Sequence, residues 1–263
     1  LEVIDETDED QSFSDSMDIS FEGDVDFDDV SFSYSPDNPL IQNFNVNVSP
    51  GETIAIVGPT GAGKTTLINL LMRFYDVDSG KITVEGKDIR TLSRQEYRSL
   101  FGMVLQDTWL FEGSIKENLR CGNLAATDKE IIEAAEVANV DHFIRTLPGG
   151  YDMVMNEESS NISQGQKQLL TIARALLSDP KILILDEATS SVDTRLEILI
   201  QKAMDRLMEG RTSFVIAHRL STIQDADRIL VMDKGQIIET GTHDELIEQD
   251  GFYNQLYQSQ FTD

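Results

Sequence analysis

Cysteine and tryptophan occur once each in 263 residues, and histidine three times. A lone Cys121 cannot close an internal disulfide, which fits a reducing compartment; the side chain reads as small and semi-buried. Long apolar runs are missing too. None approaches the roughly 18 residues that a membrane helix needs, and no basic segment followed by an apolar core opens the sequence, so no secretory signal is expected. Positive charge is the scarcest commodity. Residues 1–63 hold 15 acidic side chains and no Lys or Arg. The net charge of −26 excludes a general nucleic-acid binder, which needs a basic stripe, and direct adhesion to anionic lipid. It reads as a solvated surface. The 40% hydrophobic content is ordinary for a folded core, with room for one large domain or two modest ones.

The first positive charge is Lys64, and it stands in Gly58-Pro59-Thr60-Gly61-Ala62-Gly63-Lys64-Thr65. This is G-x-x-x-x-G-K-[ST], the phosphate-binding P-loop. An apolar β-type run, Thr53 to Val57, precedes it, and a helical pattern, Thr66 to Met72, follows. In that context glycines let backbone N–H groups turn toward phosphate oxygens, and the helix N-terminus adds partial positive charge. Lys64 is expected to reach the β- and γ-phosphates, and the Thr65 hydroxyl to ligate Mg²⁺.

Residues 1–20 read as an acidic linker. Alternation from Val25 to Tyr34, and again from Phe44 to Val48, predicts an antiparallel sheet ahead of the P-loop strand. Residues 114–178 are mostly helical by pattern, with Asp128 capping a run through Asn139 and a second run from Gln166 to Leu177. Strands are then expected at 181–185, 212–217, 228–232 and 237–240. Thr194 to Met208 reads as a helix, and residues 243–260 as a closing one. The apolar strand Ile182 to Leu185 ends in Asp186 and Glu187. In a P-loop fold it is expected beside the P-loop strand, with Asp186 holding Mg²⁺ through water and Glu187 orienting the attacking water.

Together these motifs resemble the nucleotide-binding domain of an ABC transporter, of the exporter type, over residues 24 to 260. The resemblance implies an α/β P-loop NTPase (ABC ATPase) core with an antiparallel β-subdomain and a helical subdomain at about 114–178. It implies ATP and Mg²⁺ as ligands, with Gly58 through Thr66 around the phosphates. Tyr34 resembles the aromatic that stacks on adenine. Gln106 resembles the Q-loop glutamine, which senses Mg²⁺ and meets the transmembrane coupling helices. Asp193, closing Ser190-Ser191-Val192-Asp193, resembles the D-loop acid, and His218 the switch histidine on the γ-phosphate. Ile162-Ser163-Gln164-Gly165-Gln166 occupies the signature position, offered in trans to the nucleotide of a second nucleotide-binding domain. The stretch Gln106 to Ile115 is similar to exporter sequences, and Trp109, Leu110 and Phe111 are expected to be partly exposed for a transmembrane partner. The implied place is the cytoplasmic face of a membrane, with residues 1–20 linking from a transmembrane domain.

Two segments depart from the family pattern. Gln164 replaces the first glycine of the common Leu-Ser-Gly-Gly-Gln signature, and Ile162 its leucine. A glycine permits close approach and free φ/ψ, whereas glutamine adds bulk. Asn156-Glu157-Glu158-Ser159 stands where exporters usually carry Gly-Glu-Arg-Gly. The Walker side is intact, so the one-sided change points to one half of a heterodimer, with a different subunit supplying a consensus signature.

Overall fold

A computed structural model describes residues 21–35, 38–105, 108–155, 162–186, 192–217 and 220–261. The linker 1–20, Gln106, Asn156 to Ser159, Glu187, Ser190, Ser191 and His218 lie outside the described residues. In chain order the strands are β1 (Val25–Ser35), β2 (Asn38–Val48), β3 (Thr53–Val57), β4 (Ser79–Val84), β5 (Lys87–Asp88), β6 (Phe101–Val104), β7 (Gly113–Ser114), β8 (Val154–Met155), β9 (Ile182–Asp186), β10 (Thr212–Ile216), β11 (Arg228–Asp233) and β12 (Gln236–Gly241). The helices are α1 (Lys64–Leu71), α2 (Arg94–Arg98), α3 (Ile115–Arg120), α4 (Asp128–Val137), α5 (Asp141–Thr146), α6 (Gln164–Ser178), α7 (Thr194–Met208), α8 (Leu220–Gln224), α9 (His243–Glu248) and α10 (Phe252–Phe261).

Alternation in β1 and β2 does what a period of two requires. Val25 and Phe27 face inward and pair with Val48 and Val46, and after a bulge with Asp29 at φ +50° the alternation resumes at Val30, which pairs with Phe44. The antiparallel sheet β2-β1-β4-β5 lies against the mainly parallel sheet β12-β11-β3-β10-β9-β6. Phe27 joins them, edge-on to Phe44 at 5.3 Å and to Phe214 of β10 at 6.5 Å. The parallel strands are buried on both faces, so most of each reads as an apolar run, as in Ile54 to Val57 and Ile182 to Leu185. Their side chains still divide by parity: Ile54, Ile56, Ile182 and Ile184 face the antiparallel sheet, while Ala55, Val57, Leu183 and Leu185 face α6 and α7.

Several expectations change. β9 does not lie beside β3, because β10 pairs with both; Asp186 is level with Ile216, and Ile216 with Ile56. Two strand spacings therefore separate the Asp186 end from the P-loop strand, roughly 10 Å. Thr127, not Asp128, caps α4, since Thr127 and Glu130 form a reciprocal capping box, and the helix stops at Val137. Ser163 and Gln166 form the same box, so α6 starts at Gln164. Residues 243–260 make two helices, broken at Asp250 with φ +50°; Glu239 of β12 accepts the Phe252 and Tyr253 amides and starts α10. Cys121 is exposed, at the C-cap of α3.

Candidate functional site

The loop after β3 is shaped by its glycines. Gly58, Gly61 and Gly63 have φ of +150°, +83° and +103°, values that cost side-chain-bearing residues energy. A Cβ on Gly58 would lie 2.2 Å from the Met232 carbonyl oxygen at the end of β11. The β11–β12 turn braces the loop from outside: the Gly235 amide donates to Ala62 O at 2.8 Å. Lys234 and Gly235 both have positive φ, the conformation of a tight hairpin turn.

Helix α1 differs from most of its neighbours. α2, α3, α4, α6, α7 and α9 each begin on a Ser, Thr or Asp side chain that accepts an amide N–H. α1 begins on Gly63 with no side-chain cap. The first amides of a helix have no intrahelical acceptor, so this end is suited to an anion. Its far end is pinned: the Tyr97 hydroxyl donates to Leu71 O, and Arg98 donates to Met72 O and Arg73 O.

Lys64 curls back over the loop, its Nζ donating to Gly58 O at 2.6 Å and Pro59 O at 3.0 Å. Burial pushes its ammonium below the ordinary value of 10.5, and the Asp186 carboxylate partly opposes this. Lys64, Thr65, Thr66, Asp186 and Thr60 to Gly63 line one cleft of about 400 Å³. Among the described residues the Thr65 hydroxyl and the Asp186 carboxylate, both lining the cleft, are oxygen donors of the kind that suits Mg²⁺. Gln106, Glu187 and His218 follow β6, β9 and β10 in sequence.

Tyr34 is 52% exposed but well held. Its hydroxyl lies 3.4 Å from the Thr66 hydroxyl and accepts from Asn69 Nδ2 at 3.3 Å. Phe32 and Tyr75 meet its ring edge-on at 4.9 and 5.0 Å. Sequence reasoning missed Tyr75, which no local pattern joins to Tyr34.

The segment from Ile162 to Gln166 lies elsewhere. Gln166 and Asp193 line a separate groove of about 600 Å³ with Leu169 and Leu196. Asp193 accepts the Leu196 amide and caps α7. Gln164 is the first residue of α6 and has no positive φ, so the position does not need a glycine's backbone freedom. At Gly165 an added Cβ would be 2.5 Å from Leu196 Cδ2, so the Leu196 side chain would have to shift to admit it.

A glycine loop between a buried parallel strand and an uncapped helix, with a carboxylate two strands away, defines a P-loop nucleoside triphosphatase. The ABC transporter family model matches residues 41–190, and the chain belongs to that family as an ATP-binding domain, an ATPase domain that takes ATP with Mg²⁺. It is 58% identical over 234 residues to a fatty acid ABC transporter ATP-binding/permease protein of Mycobacterium tuberculosis (strain CDC 1551 / Oshkosh), covering 89% of this chain and 37% of that protein. It is 50% identical over 232 residues to an ATP-dependent lipid A-core flippase of Syntrophus aciditrophicus (strain SB), covering 88% and 38%. A solved structure of a bacterial Atm1-family ABC exporter with ATP bound matches with a TM-score of 0.86 at 39% identity, over 95% of this chain and 45% of that one. The chain thus spans about two fifths of the length of these curated relatives. Among the described residues no helix is long and apolar enough to cross a membrane.

Proposed function

We propose that the chain is the ATP-hydrolysing motor of an exporter and works as one half of a heterodimer. One observation carries the reading. Lys64, Thr65 and Asp186 share one cleft while Gln166 and Asp193 line another, which supports a second domain bringing its signature to this P-loop. Residues 1–20 link from a transmembrane domain, residues 21–263 form the nucleotide-binding domain, and about 114–178 is its helical subdomain. Tyr34 stacks on adenine, and Gly58 through Thr66 bind the phosphates. Thr65, Gln106 and Asp186 organise Mg²⁺, Glu187 polarises the attacking water, and His218 holds the γ-phosphate. Ser163, Gln164, Gly165, Gln166 and Asp193 face the partner's nucleotide, where the bulk of Gln164 favours a different subunit over a second copy.

Closure on ATP and opening after hydrolysis drive a transmembrane gate. The exposed Trp109 side chain, on a backbone held by Asn118 and Arg174, offers the coupling helices a rigid edge at the cytoplasmic face of the membrane. By kinship with the fatty acid transporter and the flippase, the cargo is amphipathic.

Glu187→Gln should lower turnover by orders of magnitude while MgATP still binds; unchanged hydrolysis refutes Glu187 as the base. Light scattering of that variant with MgATP, alone and with Gln164→Gly added, tests the pairing. Dimers only in the double variant support a required partner subunit, and tight self-pairing of the single variant removes it. A second reading, an ATP-gated clamp with little hydrolysis, is favoured by the side chain at Gln164. Steady-state phosphate release separates the two.

A further inference from the structure

Helix α6 grips the segment that follows β6 at two points. At its N-terminus Gln164 Nε2 donates to Thr108 Oγ1 at 3.2 Å. Nearly three turns further on, Arg174 Nη1 donates to the Trp109 carbonyl at 3.2 Å, and the same guanidinium holds Asn118 O at 2.9 Å. Asn118 in turn binds both the amide and the carbonyl of Phe111 at 3.0 Å. Trp109 is therefore 71% exposed on a main chain that is tied down. On another side α6 packs against α7, with Gly165 close to the side chains of Leu196 and of Val192 just before that helix. A glycine at position 164 would keep the Arg174 grip and the α7 contact but would have no side chain to reach Thr108.

We propose that Gln164 is a positioning residue that ties the Ile162–Gln166 turn to Thr108 of its own chain, so that the N-terminus of α6 and the exposed Trp109 edge move as one body. The inference rests on reading Ile162 to Gln166 as the signature, and it gives the glutamine a task within the chain besides its bulk toward a partner. A shift of the turn toward a partner's nucleotide is passed to Trp109 through this contact, and a load on Trp109 is passed back.

The test uses the whole chain without nucleotide. Gln164→Met keeps the length and removes the donor, Thr108→Val removes the acceptor, and Gln164→Glu lets the Thr108 hydroxyl donate instead. The readouts are amide hydrogen exchange at 108–111 and 163–167 and the fluorescence anisotropy of Trp109, the only tryptophan in the chain. Losing one neutral hydrogen bond should speed exchange about two- to tenfold. Gln164→Met should do this in both segments and lower the Trp109 anisotropy. Thr108→Val should do the same, the double variant should add nothing further, and Gln164→Glu should restore the parent values. Faster exchange confined to 163–167 in Gln164→Met, or additive effects in the double variant, would overturn the proposal. MgATP titration of the unmodified chain is read separately: absent binding refutes the motor reading, while the exchange pattern still decides the tie.

Discussion

Replacing Gly58 and Gly61 by alanine, one at a time, separates two tasks of the P-loop. Both have positive φ, so either alanine is strained by about 1–3 kcal/mol. Their surroundings differ. At Gly58 the new Cβ would lie 2.2 Å from the Met232 carbonyl oxygen and 3.2 Å from Ala62 Cβ. The first of these belongs to the main chain of β11 and has no rotamer through which to withdraw. Overpacking of this kind costs a further ~1–3 kcal/mol. At Gly61 nothing lies within 4 Å of the added Cβ, and the residue lines the cleft. In a domain of this size each kcal/mol lowers Tm by about 2–4 °C, so Gly58→Ala should melt roughly 2–12 °C below Gly61→Ala. Nucleotide binding should single out Gly61→Ala, whose methyl stands where the loop meets phosphate. One bad contact of about 1.4 kcal/mol is a tenfold loss of affinity. Calorimetric melting without nucleotide and titration with MgATP measure both quantities. Equal melting of the two variants, or parent-like MgATP affinity in Gly61→Ala, would refute the assignment of steric support to one glycine and ligand contact to the other.

Lys64 carries a pH prediction. Burial lowers its pKa in the nucleotide-free chain, and bound phosphate favours the charged form and raises it. Between the two values binding takes up a proton, so affinity should fall up to tenfold per pH unit as pH rises, starting below the ordinary lysine value of 10.5. A flat MgATP affinity profile through that range contradicts the contact. Tyr34→Ala should raise KM for ATP by about five- to a hundredfold, the worth of one stacked base, and Tyr34→Phe should retain most of it; equal kinetics in both variants would remove the stacking role. Arg73 is buried and donates to Ile89 O at 2.9 Å and Leu92 O at 2.8 Å. Arg73→Met removes the donor to the Leu92 carbonyl and leaves Ile89 O with the Leu92 amide alone, which should cost about 1–3 kcal/mol in urea unfolding, an unchanged midpoint being the contrary result.

The fold was legible wherever the signal was local. Period-two alternation located β1, and the apolar run before the glycines located β3, because strands buried on one or both faces advertise themselves in that way. Helix starts were legible too, but needed the reciprocal form of the cap. Thr127 with Glu130, and Ser163 with Gln166, spell S/T-x-x-E/Q, and reading Asp128 or Gln166 alone misplaces both starts. Sheet order was not local. That β10 comes between β3 and β9 depends on which strands Thr212 to Ile216 pairs with on each side, and nothing in this five-residue strand encodes two neighbours. The break between α9 and α10 likewise depends on Glu239, more than ten residues upstream on another strand.

The candidate site divides in the same way. Lys64, Thr65 and Asp186 could be found because their spacing follows from chemistry, and the structure brings them to one cleft. The turn at Lys234 and Gly235 that braces Ala62 could not, since a hairpin turn says nothing of what it packs against. Gln164 is the instructive residue. From sequence, its replacement of glycine looked like a loss of backbone freedom. In the structure the position begins a helix with ordinary φ, and the tighter site is the next residue, Gly165, against the Leu196 side chain. The side chain of Gln164 reaches Thr108 in its own chain. A substitution that reads as added bulk is, physically, also a gain of one contact within the chain. Its two effects can be measured apart, one by pairing with a partner and the other by exchange at Thr108.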